Sequence, residues 1–165
     1  MARQTIIGSG IRVSSVKRLA SFSKFLALSR AERRLLLTSA FLLPILAAAV
    51  RGVGLVRVLG WLACESAETR RSDTDAPTLA ALVNAAANHL PIACSCLTRS
   101  LLLDWMLRRR GFASELRIGV RLVHDSLQAH AWVQLNGTPL NDTPGVAERF
   151  AAFEGRVSPR LLPGL

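Results

Sequence analysis

A single glycine divides two different hydrophobic periods in this chain, and that switch fixes the class of fold open to it. From Cys96 to Arg110 the apolar residues Leu97, Leu101, Leu103, Trp105, Met106 and Leu107 recur at helical spacing. The run closes on Arg108-Arg109-Arg110 and then Gly111, the basic last turn and following glycine of a helix C-terminus. Beyond Gly111 the period becomes two: Leu116, Ile118 and Val120 alternate with Arg117, Gly119 and Arg121. A second strand is expected over Ala129 to Gln134, then a turn at Asn136-Gly137 and a short return strand through Leu140 to Asp142. A helix followed by a small antiparallel sheet is an α+β arrangement.

The sequence upstream adds helices. Ser29-Arg30-Ala31-Glu32 has the form of a capping box, in which the Ser29 hydroxyl and the Glu32 carboxylate each satisfy a backbone N–H of the other. It opens the run Leu35 to Val50, 16 uncharged and mainly apolar residues between Arg33-Arg34 and Arg51. That is short of the roughly 18–20 residues that cross a bilayer, so a buried helix, or one lying against a partner or the membrane surface, is the preferred reading. Pro44 removes one backbone donor and predicts a kink or a division of this helix. Glu65 to Pro77 is polar and turn-rich. Near its end Thr74 or Asp75 can cap a helix with Pro77 in its first turn and Leu79, Leu82, Val83 and Ala86 on one face. The expected organisation is a basic arm over 1–25, a helical region and polar loop over 26–76, and a catalytic core over 77–165. At 165 residues these form one globular unit. Residues 143–165 read as a short helix and a tail.

Charge narrows the partners less than it narrows the surface. The net charge is +10, and Arg3, Arg12, Lys17, Arg18 and Lys24 fall in an opening stretch without an acid, so nucleic acid, anionic lipid and acidic peptide all fit on composition. The three cysteines, Cys64, Cys94 and Cys96, cannot all pair, which points to a reducing, cytoplasmic compartment. No Cys/His spacing matches a zinc site, and the N-terminus has no secretory signal pattern. Neither metal nor cofactor is expected.

Cys96 opens the helix that ends at Gly111, where backbone N–H groups and the helix dipole favour a thiolate. His130 lies in a strand with small neighbours, and Asp142 follows on the expected return strand. The order Cys, His, Asp suits acyl transfer, with Cys96 as nucleophile, His130 as base and Asp142 as the carboxylate that orients the imidazole. Hairpin register decides whether the last two meet. A two-residue loop at Asn136-Gly137 would put Asp142 opposite Ala131 and on the wrong face, whereas a type I turn at Leu135-Asn136 with Gly137 left-handed after it pairs Gln134 with Thr138 and sets His130 opposite Asp142. The three-residue loop is therefore the expectation. His124, beside Asp125 in a loop, and His89, at a helix end, compete less well for the role of base. Trp132 reads as core packing.

Four blocks in this order, Cys96-Leu97-Thr98-Arg99-Ser100-Leu101, Leu107-Arg108-Arg109-Arg110-Gly111-Phe112, Leu116-Arg117-Ile118-Gly119-Val120-Arg121 and Ala129-His130-Ala131-Trp132-Val133 with Asp142, resemble the transglutaminase-like leader peptidases of bacterial lasso-peptide biosynthesis. The resemblance implies a transglutaminase-like or papain-like cysteine protease core and removal of the leader from a ribosomally made precursor. The freed amine would then be used by an ATP-dependent cyclase that closes a macrolactam. It also implies a separate leader-recognition protein, since no recognition domain is legible in residues 1–70. Nucleic acid is not among the implied partners; peripheral membrane contact is a further possibility raised by the apolar helix. The alternatives are a transglutaminase-like acyltransferase with the same triad and a non-catalytic, membrane-associated interaction protein.

Overall fold

A computed structural model describes residues 27–63 and 74–153. The expected basic arm, Cys64, most of the polar loop after it and the C-terminal tail lie outside the described residues.

Helix α1 (Arg30–Val53) begins at the capping box: the Ser29 hydroxyl accepts from the Glu32 N–H at 3.2 Å, and the Glu32 carboxylate accepts from the Ser29 N–H at 2.7 Å. Of the two outcomes expected at Pro44, a kink or a division, the division does not occur. The helix continues to Val53 and breaks instead at Gly54, whose φ of 88° lies in the left-handed region. A proline inside a helix costs about 3 kcal/mol. Leu43, 0% exposed, and Ala47 are buried beside Pro44, and burying a leucine alone returns roughly 1.5–3 kcal/mol. Packing thus holds the helix together across the proline. The opposite face of α1 presents Leu37, Phe41 and Ile45 to solvent at four-residue spacing. At 24 residues α1 is long and apolar enough to cross a membrane by length and composition.

Helix α2 (Leu55–Ala63) follows Gly54. Helix α3 (Ala76–His89) is capped by the Asp75 carboxylate on the Thr78 N–H at 3.2 Å, with Pro77 in its first turn. Helix α4 (Cys96–Arg108) is capped by Ser95, whose hydroxyl accepts from the Thr98 N–H, and Gly111 with φ 80° follows its end. Leu79 and Val83 of α3, Leu101, Leu103 and Leu107 of α4, and Leu43 of α1 form the main core with Leu116 and Val133 of the sheet.

Strands β1 (Ser114–Val123) and β2 (Ser126–Leu135) form a hairpin around His124-Asp125, and β3 (Thr138–Pro139) and β4 (Ala151–Ala152) flank it in the order β3-β2-β1-β4. One face, with Leu116 and Val133, packs on α4. The alternate face carries Trp132, which is buried with Val146 of helix α5 (Val146–Arg149) and with Phe150. Strand β4 was not legible in the sequence. It pairs with β1 because Gly119 has no side chain: a Cβ there would meet the Phe150 Cβ at 3.0 Å and the Ala151 carbonyl at 3.1 Å.

The second hairpin corrects the expected register. Leu135 pairs with Thr138 and Gln134 with Pro139, so the loop has two residues, Asn136 (φ 50°) and Gly137 (φ 79°). Two left-handed residues make a turn whose twist matches that of the strands, and Asn-Gly is the pair best suited to it. The return strand also does not reach Asp142. Pro139 has no N–H, the Leu140 N–H donates to the Val133 carbonyl at 2.9 Å, and the chain then leaves the ladder. The Val133 N–H is satisfied by the Asn141 side-chain oxygen at 2.8 Å in place of a backbone carbonyl.

Asn141 therefore ends the sheet and ties it to the helices. Its side-chain amide donates to the Ser100 hydroxyl at 2.9 Å, Ser100 donates to the Ala131 carbonyl at 3.0 Å, and the Asn141 carbonyl accepts from the Asn84 amide at 3.4 Å. Asn141→Ala leaves part-buried partners unsatisfied and is predicted to lower the unfolding free energy by about 1–3 kcal/mol. Denaturant titration checks this, and an unchanged midpoint would contradict it.

Candidate active site

The site is built where α4 begins and the sheet ends. Two polar bridges set the helix on the sheet: the Ser114 hydroxyl donates to the Asp104 carboxylate at 2.8 Å, and Ser100 bonds Ala131 one turn earlier along the helix. Ser114 pairs with Leu135, so α4 runs in the direction of β2. Cys96 lies a further turn back on the face that carries Ser100 and Asp104, at the helix start. That brings its backbone toward the stretch of β2 before Ala131, which contains His130. The thiol is half-buried. The loop before it is held by Arg99, which donates to the Cys94 carbonyl at 3.3 Å and to the Asn88 side chain at 3.0 Å.

His130 and Asp142 are in contact. The imidazole Nε2 lies 2.5 Å from the Asp142 Oδ2, although the tight turn formally assigns Asp142 to the wrong face. Alternation stops applying once the chain leaves the ladder after Leu140, and that departure turns the carboxylate toward β2. The other oxygen, Oδ1, accepts from the Thr143 N–H at 2.7 Å and from Arg149 Nη2 at 3.4 Å. Burial pushes the Asp142 carboxyl up, but the hydrogen bonds from His130 and Thr143 outweigh it and leave the group below its ordinary value. The imidazole packs against Phe150, ring centroids 4.9 Å apart, and lies 6.3 Å from the Trp132 ring.

Of the three residues singled out in the sequence, two are joined directly. The third, Cys96, begins the helix that Ser100 bonds to the imidazole strand, and it makes no hydrogen bond to His130 among the described residues. Of the competing histidines, His89 caps its own helix, with Nδ1 2.7 Å from the Ala85 carbonyl, and His124 is exposed in the β1–β2 turn with φ 47°. Trp132 is fully buried beside the site. Among the described residues no group of three or more His, Cys, Asp or Glu side chains is placed to hold a metal ion.

Sequence reasoning missed Ser100, Asn141 and Arg99. The signal for Ser100 was present as a hydroxyl within an otherwise apolar helical run. Asn141 could be recognised only after the strand was known to stop at Pro139.

No curated protein and no solved structure matches the chain. The family described as the transglutaminase-like superfamily does, over residues 39–154, well over half of the chain. The matched span runs from within α1 to the end of the sheet and includes the helix start, the imidazole strand and the departing carboxylate. On that match the chain belongs to the transglutaminase-like superfamily, whose core is of the cysteine protease and acyltransferase type.

Proposed function

We propose that this chain is a cysteine peptidase that removes the leader from a ribosomally made lasso-peptide precursor before its macrolactam is closed. The observation that carries the reading is the pairing with Asp142 of His130 Nε2, on the strand to which Ser100, one turn after Cys96, is bonded. The four sequence blocks that resemble the lasso leader peptidases supply the substrate class.

An imidazole whose Nε2–H is donated to a carboxylate keeps its lone pair on Nδ1. Nδ1 is then the base. It takes the Cys96 thiol proton, and the sulfur attacks the carbonyl carbon of the last leader residue. Such contacts are commonly longer in a free enzyme than in its substrate complex. The tetrahedral oxyanion is stabilised by the backbone N–H groups of Cys96 and Leu97, which precede the Thr98 N–H already taken by the Ser95 cap and have no acceptor within the helix. As the C–N bond breaks, Nδ1–H protonates the departing core amine, and an acyl-enzyme remains. Water, deprotonated by Nδ1, then hydrolyses the thioester, releasing the leader as a carboxylate and restoring the thiol. The freed amine is the group that a separate ATP-dependent cyclase requires. A separate recognition protein presents the leader in this scheme.

Incubating the chain with precursor and recognition protein, and following leader release by mass spectrometry, tests the reading. Cys96→Ala is predicted to slow release by about a thousandfold or more. Equal release by both chains would remove the proposal.

Asp142 carries a second prediction. Its carboxyl titrates lower in the folded chain than in the unfolded one, so it contributes stability above the ordinary carboxyl range near pH 4 that disappears as pH falls through the lowered folded value. The difference in melting temperature between the native chain and Asp142→Asn should be largest above about pH 4 and shrink below it. A difference independent of pH would contradict this account of the pair.

A further inference from the structure

A cavity of about 470 Å³ opens beside His130 and Asp142, and its charge is not explained by the peptidase chemistry. Arg121 and Arg149 both line it, and Asp142, already engaged by His130, is the acid in its wall. Arg121 stands across the hairpin from Gln128, donating through Nε and Nη2 to the same amide oxygen at 3.0 and 2.8 Å. Its guanidinium lies over the Phe150 ring, 4.6 Å from the centroid, which fixes its plane. Three of its five N–H groups have no partner among the described residues. Arg149 spends Nε on the Gly145 carbonyl and Nη2 on Thr143 and Asp142, which leaves Nη1.

The wall therefore holds two guanidinium groups, one carboxylate and a neutral amide. With His130 neutral it is cationic, and its unused hydrogen-bonding capacity is mainly that of donors. A carboxylate is the ligand that matches: planar, anionic, and able to accept two parallel N–H bonds from one guanidinium. Gln128 offers a further amide donor at the same place.

We propose that this cavity is a subsite for a carboxylate of the peptide substrate, an acidic side chain near the scissile bond or the new C-terminus of the released leader, with Arg121 as its principal anchor. The assignment rests on the peptidase reading for the identity of the peptide, but the binding itself does not require catalysis. Arg121 makes no hydrogen bond or ion pair to Cys96, His130 or Asp142 among the described residues, so it acts as a residue of substrate selection and not of bond cleavage.

The test is a titration of the full chain with three small probes, followed by NMR through the His130 ring resonances. N-acetyl-glutamate α-amide carries a side-chain carboxylate, N-acetyl-alanine a terminal one, and N-acetyl-glutamine α-amide is the neutral control. At least one carboxylate probe should shift the His130 signals saturably while the neutral probe does not, and whichever binds identifies the source of the anion. Arg121→Gln should weaken that binding at least about tenfold, and Arg121→Lys should retain part of it. Equal shifts from the neutral probe, no saturable shift from either carboxylate, or full binding by Arg121→Gln would each overturn the proposal. The same titration on Cys96→Ala is expected to be unchanged. Loss of carboxylate binding would leave leader release standing, and failure of leader release would leave carboxylate binding standing.

Discussion

The bridge from Ser100 through Asn141 to the β2 backbone is the contact on which the site depends. Ser100 is fully buried in α4 and spends its hydroxyl on Ala131, the residue after His130. Asn141 bonds the same hydroxyl and the Val133 N–H, and it precedes Asp142. One part-buried cluster thus fixes the helix relative to the strand and stops the strand where the carboxylate must leave it. Hydrogen bonds of this kind are worth little net when made and cost considerably more when half-broken inside a core. That asymmetry makes the geometry rigid.

The two faces of the sheet divide the labour. The α4 face carries the main core, which holds the helix in register through Leu101, Leu103, Leu107 and Val133. The other face carries His130 over a smaller apolar floor of Trp132, Val146 and Phe150. Gly119 lets Phe150 come close enough to support the imidazole. The same phenylalanine carries the Arg121 guanidinium, so one apolar side chain positions both the base and the cationic wall of the neighbouring cavity.

Local signals were legible in the sequence and longer-range ones were not. The Ser29–Glu32 box, the Asp75 cap with Pro77 and the Gly111 stop each depend on neighbours within a turn, and each lies where the sequence put it. Pro44 failed as a helix divider because distant packing outweighed a local cost. The hairpin was misread for a related reason. An alternating strand delivers Asp142 to His130 only with the three-residue loop, whereas Asn-Gly favours the tighter turn, and the strand ends at Pro139 before alternation can act. The pairing survives through the chain's exit from the sheet. Strand β4 escaped notice because two residues have no period, and its partner site is defined by the missing side chain at Gly119.

The sulfur at the start of α4 must come within bonding reach of the imidazole on β2, and a short dihaloketone that alkylates a thiol and then a nearby imidazole measures that reach directly. Peptide mapping of the treated chain is predicted to find Cys96 and His130 joined through the reagent. Adducts attached at Cys96 alone, with His130 recovered unmodified, would contradict the account.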